Sequence, residues 1–192
     1  LWMQLYMWAD RRLSHQVVKR AAAAGFEALL VTVDGVVAGN REYNKRNGFS
    51  VPFKYNSRNT IDVLTHPRWM LGVLGRYIAN GGMPTRANFP DELRGKITTA
   101  YGGDKNTRSD SLSWDDLKAL RDIWPGKLLV KGLLHPDDAE KSLDYGADGV
   151  IVSNHGGRNC DAAPSPIEVL PDIVKAVGHR TTIIFDSGVR RG

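Results

Sequence analysis

The sequence predicts an α/β fold with parallel strands, as an open sheet or a barrel. Three observations predict it. Short, nearly all-apolar runs alternate with segments of helical periodicity. The runs lack the every-second-residue pattern of a half-exposed strand, so they read as strands buried on both faces. Each run ends in a polar residue, and these recur at βα-unit intervals: 30 residues from Gln4 to Asp34, 24 from Lys131 to His155 and 31 from His155 to Asp186.

Leu1 to Trp8 is a short apolar run with polar Gln4 inside it. Asp10 to Ala24 is predicted as a helix, because Leu13, Val17 and Ala21 share a face and Gly25 stops it. Ala28 to Val33 is the next strand, broken by Asp34-Gly35. Residues 35–112 are long and irregular, rich in Gly, Asn, Arg and Pro. Within them Met70, Val73, Leu74, Tyr77 and Ile78 are spaced i, i+3, i+4, i+7, i+8, an amphipathic helical stripe with Trp69 beside it.

Order resumes at Ser113, an N-cap before Trp114, Leu117, Leu120 and Trp124. Leu128 to Lys131 is a strand. Pro136 to Tyr145 is a helix, with Pro near its start, Asp137 and Asp138 in its first turn and Gly146 after it. Gly149 to Ser153 is a strand. Ser165-Pro166-Ile167-Glu168 has capping-box spacing and opens a helix that contains Pro171 and ends at Gly178. Thr181 to Asp186 is the last strand. The predicted order is βαβ, a long insert, then αβαβαβ.

The 192 residues, 42% hydrophobic and 24% charged, suit one globular domain with a real core. The one cysteine, Cys160, excludes an internal disulfide framework and a multi-cysteine zinc site, and no metal is predicted. No apolar run is long enough to span a bilayer. The net charge of +5 is concentrated: residues 41–86 hold eight Lys/Arg against two acids. Such a segment suits nucleic acid, anionic lipid or an acidic ligand. With its apolar stripe and Trp69 it also suits a membrane surface, or else it is an ordinary helix packed on its own protein.

Polar residues end all five strands: Gln4 and Tyr6, Thr32 and Asp34, Lys131, Ser153 to His155, and Asp186. In a TIM barrel the strand C-termini face one active-site mouth, so five polar ends in register point to a shared site. In Ser153-Asn154-His155-Gly156-Gly157-Arg158, two glycines allow close backbone approach and His155 can take a proton near neutrality. Arg158 can bind a carboxylate in bidentate fashion, and Arg41, seven residues after Asp34, offers a second guanidinium. A base with two arginines suggests an anionic substrate that loses a proton. Asp34 can pair with the imidazolium, and Lys131 suits an electron-rich ring that becomes anionic on reduction. Asp186-Ser187-Gly188-Val189-Arg190-Arg191-Gly192 has the small and basic residues of a phosphate site. No G-x-G-x-x-G follows a strand, which argues against a Rossmann fold.

Several stretches resemble one family: Gln4-Leu5-Tyr6; Thr32-Val33-Asp34 with Gly39-Asn40-Arg41-Glu42; Leu129-Val130-Lys131-Gly132; Ser153 to Arg158; and Asp186 to Gly192. They span the chain in order and resemble the FMN-dependent α-hydroxy-acid oxidase/dehydrogenase family. Asp186-Ser187-Gly188 in place of Asp-Gly-Gly, together with His66-Pro67-Arg68-Trp69 and the insert around it, looks like the membrane-associated mandelate and quinone-type lactate dehydrogenase branch. Arg158-Asn159-Cys160-Asp161 departs from the family's usual Arg-Gln-Leu-Asp, and Cys160 is read as packing.

The resemblance implies a TIM (β/α)8 barrel, of which residues 1–192 carry about strands 3–7 as a fragment that does not close the barrel alone. Residues 49–112 are expected to be an insert and a membrane-surface segment. Oxidation of an (S)-2-hydroxy acid to the 2-oxo acid is implied, with FMN as cofactor and a membrane quinone as electron acceptor. His155 is then the base and Asp34 its partner. Arg41, Arg158 and Tyr6 contact substrate. Gln4, Thr32, Lys131, Ser153, Asp186, Gly188 and Arg190 contact FMN. No nucleic-acid partner is implied; a tetramer, and a cytoplasmic location on the membrane periphery, are. Two alternatives stand beside this: a soluble oxidase that passes electrons to O2, and a non-catalytic basic module that binds lipid or nucleic acid.

Overall fold

The computed structural model describes residues 1–35, 39–49, 54–99 and 109–191. Strands β1 (Trp2–Leu5), β2 (Ala28–Thr32), β3 (Lys127–Leu133), β4 (Gly149–Val152) and β5 (Thr182–Phe185) pair in parallel in the order of the sequence. Helices α1 (Arg11–Ala23), α2 (Trp114–Ile123), α3 (Pro136–Asp144) and α4 (Pro166–Val177) precede β2 to β5 in turn. A doubly wound sheet reverses its strand order at a switch point, whereas this order never reverses. The sheet is therefore an arc of a (β/α)8 barrel.

The chain forms two compact units: Leu1–Asn40 with Thr107–Gly192, and Arg41–Asn106. The first holds the sheet. Its strands bury one face under the helices through Leu5, Leu29, Val31, Leu128, Val130, Val150 and Val152. The helices answer with Leu13, Val17 and Val18 of α1, Leu117 and Leu120 of α2, Ala139 of α3, and Ile173 and Val177 of α4. On the other face Ala28, Leu129 and Ile151 form a smaller cluster, with Leu30 and Ile184 packed against it. Both faces are apolar, which is why the strand sequences lack alternation.

The helix starts follow their caps. The Asp10 carboxylate accepts the Arg12 N–H at 3.0 Å at the head of α1. At α2 the Ser113 hydroxyl accepts the Asp116 N–H at 3.3 Å, and the Asp116 carboxylate accepts the Ser113 N–H at 2.9 Å. Arg11 grips the same carboxylate with two hydrogen bonds, at 2.7 and 2.9 Å. Burial pushes the Asp116 carboxyl up, but the Arg11 and Ser113 hydrogen bonds outweigh it and hold it below the usual value. In α4 Pro171 is accommodated inside the helix. The carbonyl it leaves without a helical N–H partner belongs to Ile167, which is 57% exposed.

Strand β3 carries the one irregularity in the ladder. Its register with β4 shifts between Lys131 and Leu133, and Gly132 has φ 106°. A Cβ at Gly132 would lie 2.6 Å from Cβ and Cγ of Asp34. The bulge at a glycine makes room for Asp34 at the strand end.

The second unit holds short helices over Glu42–Arg46, Ser57–Thr65, Pro67–Trp69 and Arg76–Ala79. The spacing around residue 70 predicts an α-helical stripe. Instead, Met70–Gly75 form a π-helical segment. Its i→i+5 pattern advances the chain differently from 3.6 residues per turn, so the predicted stripe is not one line. None of the residues in these helices is buried; Trp69, Leu71 and Ile78 are 49%, 68% and 66% exposed. Among the described residues no helix is long and apolar enough to cross a membrane.

Candidate active site

The sheet delivers polar side chains to the C-terminal ends of adjacent strands. Thr32 closes β2 and pairs in register with Lys131 of β3, which in turn pairs with Ile151 of β4. Ser153 follows β4, and Asp186 follows β5. Thr32 and Ser153 are buried. Gln4 donates from Nε2 to Thr32 Oγ1 at 2.9 Å and to the Tyr6 hydroxyl at 3.4 Å.

Lys131 is the centre of this row. Its Nζ donates to Ser153 Oγ at 2.7 Å and lies 3.2 Å from Asp186 and 3.8 Å from Asp34. Burial pushes the Asp186 carboxyl up, but hydrogen bonds from Ser153 and Ser187 and the Lys131 ammonium outweigh it and hold it below the usual carboxylate value.

His155 stands over the row. Its Nδ1 is 2.9 Å from Asp34 Oδ1, and its Nε2 is 3.4 Å from the Tyr6 hydroxyl. With Nδ1–H donating to Asp34, neutral His155 presents Nε2 as an acceptor, and the Tyr6 O–H donates to it. Asn159 donates to the Asp34 backbone carbonyl at 2.8 Å. The second carboxylate oxygen, Asp34 Oδ2, is buried without a hydrogen bond, with Lys131 as its ion-pair partner.

Gln4, Tyr6, Thr32, Asp34, Lys131, Ser153, His155 and Asp186 are thus connected by hydrogen bonds or ion pairs. Arg158 is exposed just beyond His155 and makes no ion pair among the described residues. Gly188, with φ 88°, and Arg190 lie exposed beyond β5. Arg41 belongs to the second unit, at the N-cap of Glu42–Arg46. Three contributors carry no role that the sequence assigns: Gly132, Asn159 and Ser187. Ser187 and Asn159 were visible as departures from a family pattern, and Gly132 only as part of a motif.

A family model described as FMN-dependent dehydrogenase matches residues 1–192, the whole chain. The chain belongs to the FMN-dependent dehydrogenase family. The (S)-mandelate dehydrogenase of Pseudomonas putida is 40% identical over 192 residues, covering 100% of this chain and 47% of that protein. An L-lactate dehydrogenase of Chromohalobacter salexigens is 40% identical over 195 residues, covering 100% and 48%. A crystal structure described as the monotopic membrane protein (S)-mandelate dehydrogenase superposes with a TM-score of 0.84 at 39% identity, covering 100% of this chain and 49% of that one. The chain spans about half the length of the curated relatives it matches.

The donor set fits the family's cofactor. A flavin presents carbonyl and ring-nitrogen edges and gains negative charge on reduction. The Gln4 amide, the Thr32 and Ser153 hydroxyls and the Lys131 ammonium supply neutral donors and one cation along adjacent strand ends.

Proposed function

We propose that the protein carrying this chain oxidises an (S)-2-hydroxy acid of the lactate or mandelate kind to the 2-oxo acid. The observation that carries this reading is the His155 imidazole, set between Asp34 and Tyr6 beside the row of donors around Lys131. Oxidation of a 2-hydroxy acid releases two electrons and two protons. FMN, when bound, would take up the two electrons with one of the protons, leaving the other proton for a base of the chain. The chain's own residues do the rest.

Gln4, Thr32, Lys131 and Ser153 hold the flavin ring, and Asp186, Gly188 and Arg190 its ribityl phosphate. Arg158 and Arg41 bind the substrate carboxylate, and Tyr6 contacts the substrate. Nε2 of His155 takes a substrate proton, and Asp34 stabilises the imidazolium that forms. Lys131 offsets charge that accumulates on the ring edge.

The exposed Trp69, Leu71 and Ile78, together with the basic excess of residues 41–86, support a second part of the proposal. The segment 49–112 contacts a membrane surface at the cytoplasmic face, and electrons pass from the flavin to a quinone there.

The experiment is an anaerobic visible spectrum of the full-length protein before and after L-lactate, (S)-mandelate or glycolate. Bleaching of a bound flavin by one of them is expected. A bound flavin that none bleaches overturns the substrate class. His155→Gln should bind FMN and fail to be reduced; reduction at the wild-type rate refutes the base. Hydrogen peroxide formed in step with turnover in air would assign O2 in place of a quinone.

A further inference from the structure

Among the described residues, two that are not glycine have positive φ: His155 at 58° and Ser187 at 83°. A left-handed backbone is costly for a side chain with a Cβ and persists where the surroundings over-determine it. The two residues are joined. Ser187 Oγ accepts the N–H of Asn154 at 3.2 Å and the N–H of Gly156 at 3.1 Å. These are the residues on either side of His155. The same hydroxyl donates to Asp186 Oδ1 at 3.1 Å.

Ser153 Oγ lies 3.3 Å away as a fourth polar neighbour, so the one proton and two lone pairs of the Ser187 hydroxyl have no capacity to spare. The N–H of His155 itself ends on Ser153 Oγ at 3.1 Å. Three successive amides, from Asn154 to Gly156, are therefore fixed by two hydroxyls from beyond β4 and β5. Glycine would adopt the backbone at position 187 with less strain. The serine is strained where it stands, and what it holds is the backbone that carries the imidazole.

We propose that Ser187 is a positioning residue for His155. Its hydroxyl holds the left-handed turn at the base and so fixes the line along which the imidazole meets Asp34. This rests on His155 acting as the base.

The test uses the full-length, FMN-loaded protein with Ser187→Gly and Ser187→Ala. Glycine removes the strain and the hydroxyl together; alanine removes the hydroxyl alone and decides the matter if the glycine variant does not fold. Two readouts are taken: amide hydrogen exchange in the peptide covering 153–158, and the anaerobic rate of flavin reduction across substrate concentrations. Both variants should exchange faster at 153–158, with normal FMN content. Flavin reduction at saturating substrate should slow about tenfold or more, with substrate affinity changed less than about twofold. Unchanged exchange, faster exchange with an unchanged rate, or activity lost only through loss of FMN would each overturn the proposal. Failure of the base assignment would show separately, as wild-type flavin reduction in His155→Gln.

Discussion

Nδ1 of His155 and Oδ1 of Asp34 lie 2.9 Å apart, although 121 residues separate them in the chain. The contact needs two strand ends in register, a left-handed turn at the histidine and a gap beside β3 for the aspartate. Its direct consequence is a histidine that turns Nε2, the nitrogen facing the Tyr6 hydroxyl, away from the carboxylate.

Asp34→Asn should keep the fold and FMN but slow flavin reduction by about 10² to 10⁴. The amide can hydrogen-bond to the ring but carries no charge to stabilise an imidazolium. Stopped-flow reduction at saturating substrate measures this. A change of less than about twofold would remove Asp34 from the proton transfer.

Gly132→Ala tests the gap. The new methyl would meet Cβ and Cγ of Asp34 at 2.6 Å, at a residue with φ 106°. A loss of about 1–3 kcal/mol in unfolding free energy is expected from overpacking and strain. Flavin reduction should fall as well, because Asp34 is the group displaced. Thermal unfolding with retained wild-type stability and rate would mean that the bulge adjusts freely.

At the opposite end of the sheet Asp148 binds Arg121 at 2.9 Å, Lys127 at 3.0 Å and the Leu128 N–H at 2.9 Å. Burial pushes its carboxyl up, but the Leu128 and Lys127 hydrogen bonds and the Lys127 and Arg121 charges outweigh it and hold it below the usual carboxylate value. A carboxyl depressed in the fold contributes stability that is fully present above its unfolded value and is lost as pH falls through its folded value. Asp148→Asn should therefore lower Tm at neutral pH, by the equivalent of about 1–2 kcal/mol. It should also flatten the fall in Tm at the acid end of the range. Parallel acid slopes for the two proteins would contradict this.

Deleting residues 54–98 from the full-length protein should abolish sedimentation with anionic lipid vesicles and leave flavin reduction by substrate in place. Those residues carry Trp69, Leu71 and Ile78 and none of the groups linked around His155 and Lys131. If flavin reduction vanished with correctly folded, FMN-loaded protein, the segment would have to contribute to the chemistry. Vesicle binding that survives the deletion would place the membrane contact elsewhere.

The sheet was legible in the sequence because burial on both faces leaves a plain mark: Ala28 to Thr32 and Gly149 to Val152 are runs with hardly a polar atom. Ser113 at the head of α2 was legible because capping is local, its partner being three residues away. The bulge at Gly132 was not, since its cause is Asp34, brought in from the neighbouring strand. Ser187 stood out by its identity, but its partners are 31 and 33 residues earlier. The π-helical segment at Met70–Gly75 was hidden for another reason: a spacing that suits 3.6 residues per turn carries no mark of a wider turn. Among the linked site residues, position at a strand end was the readable signal. Mutual distance was not.

Arg11 bonds not only to Asp116 but also to the Ser111 carbonyl at 2.9 Å and the Trp8 carbonyl at 2.8 Å, and the Ser109 N–H reaches the Met7 carbonyl at 2.8 Å. These contacts join the start of α1 to the residues that lead into α2, across some hundred positions of sequence. They fasten the returning end of the long insert to the start of α1. The entropy of closing such a loop grows only with the logarithm of its length, about 0.6 kcal/mol per doubling. The fastening engages only the last few residues of the insert, so the length of what precedes them enters the barrel's thermodynamics only through this slowly growing term. Natural variation can lengthen, shorten or replace that segment while the strand ends around Lys131 and His155 keep their places.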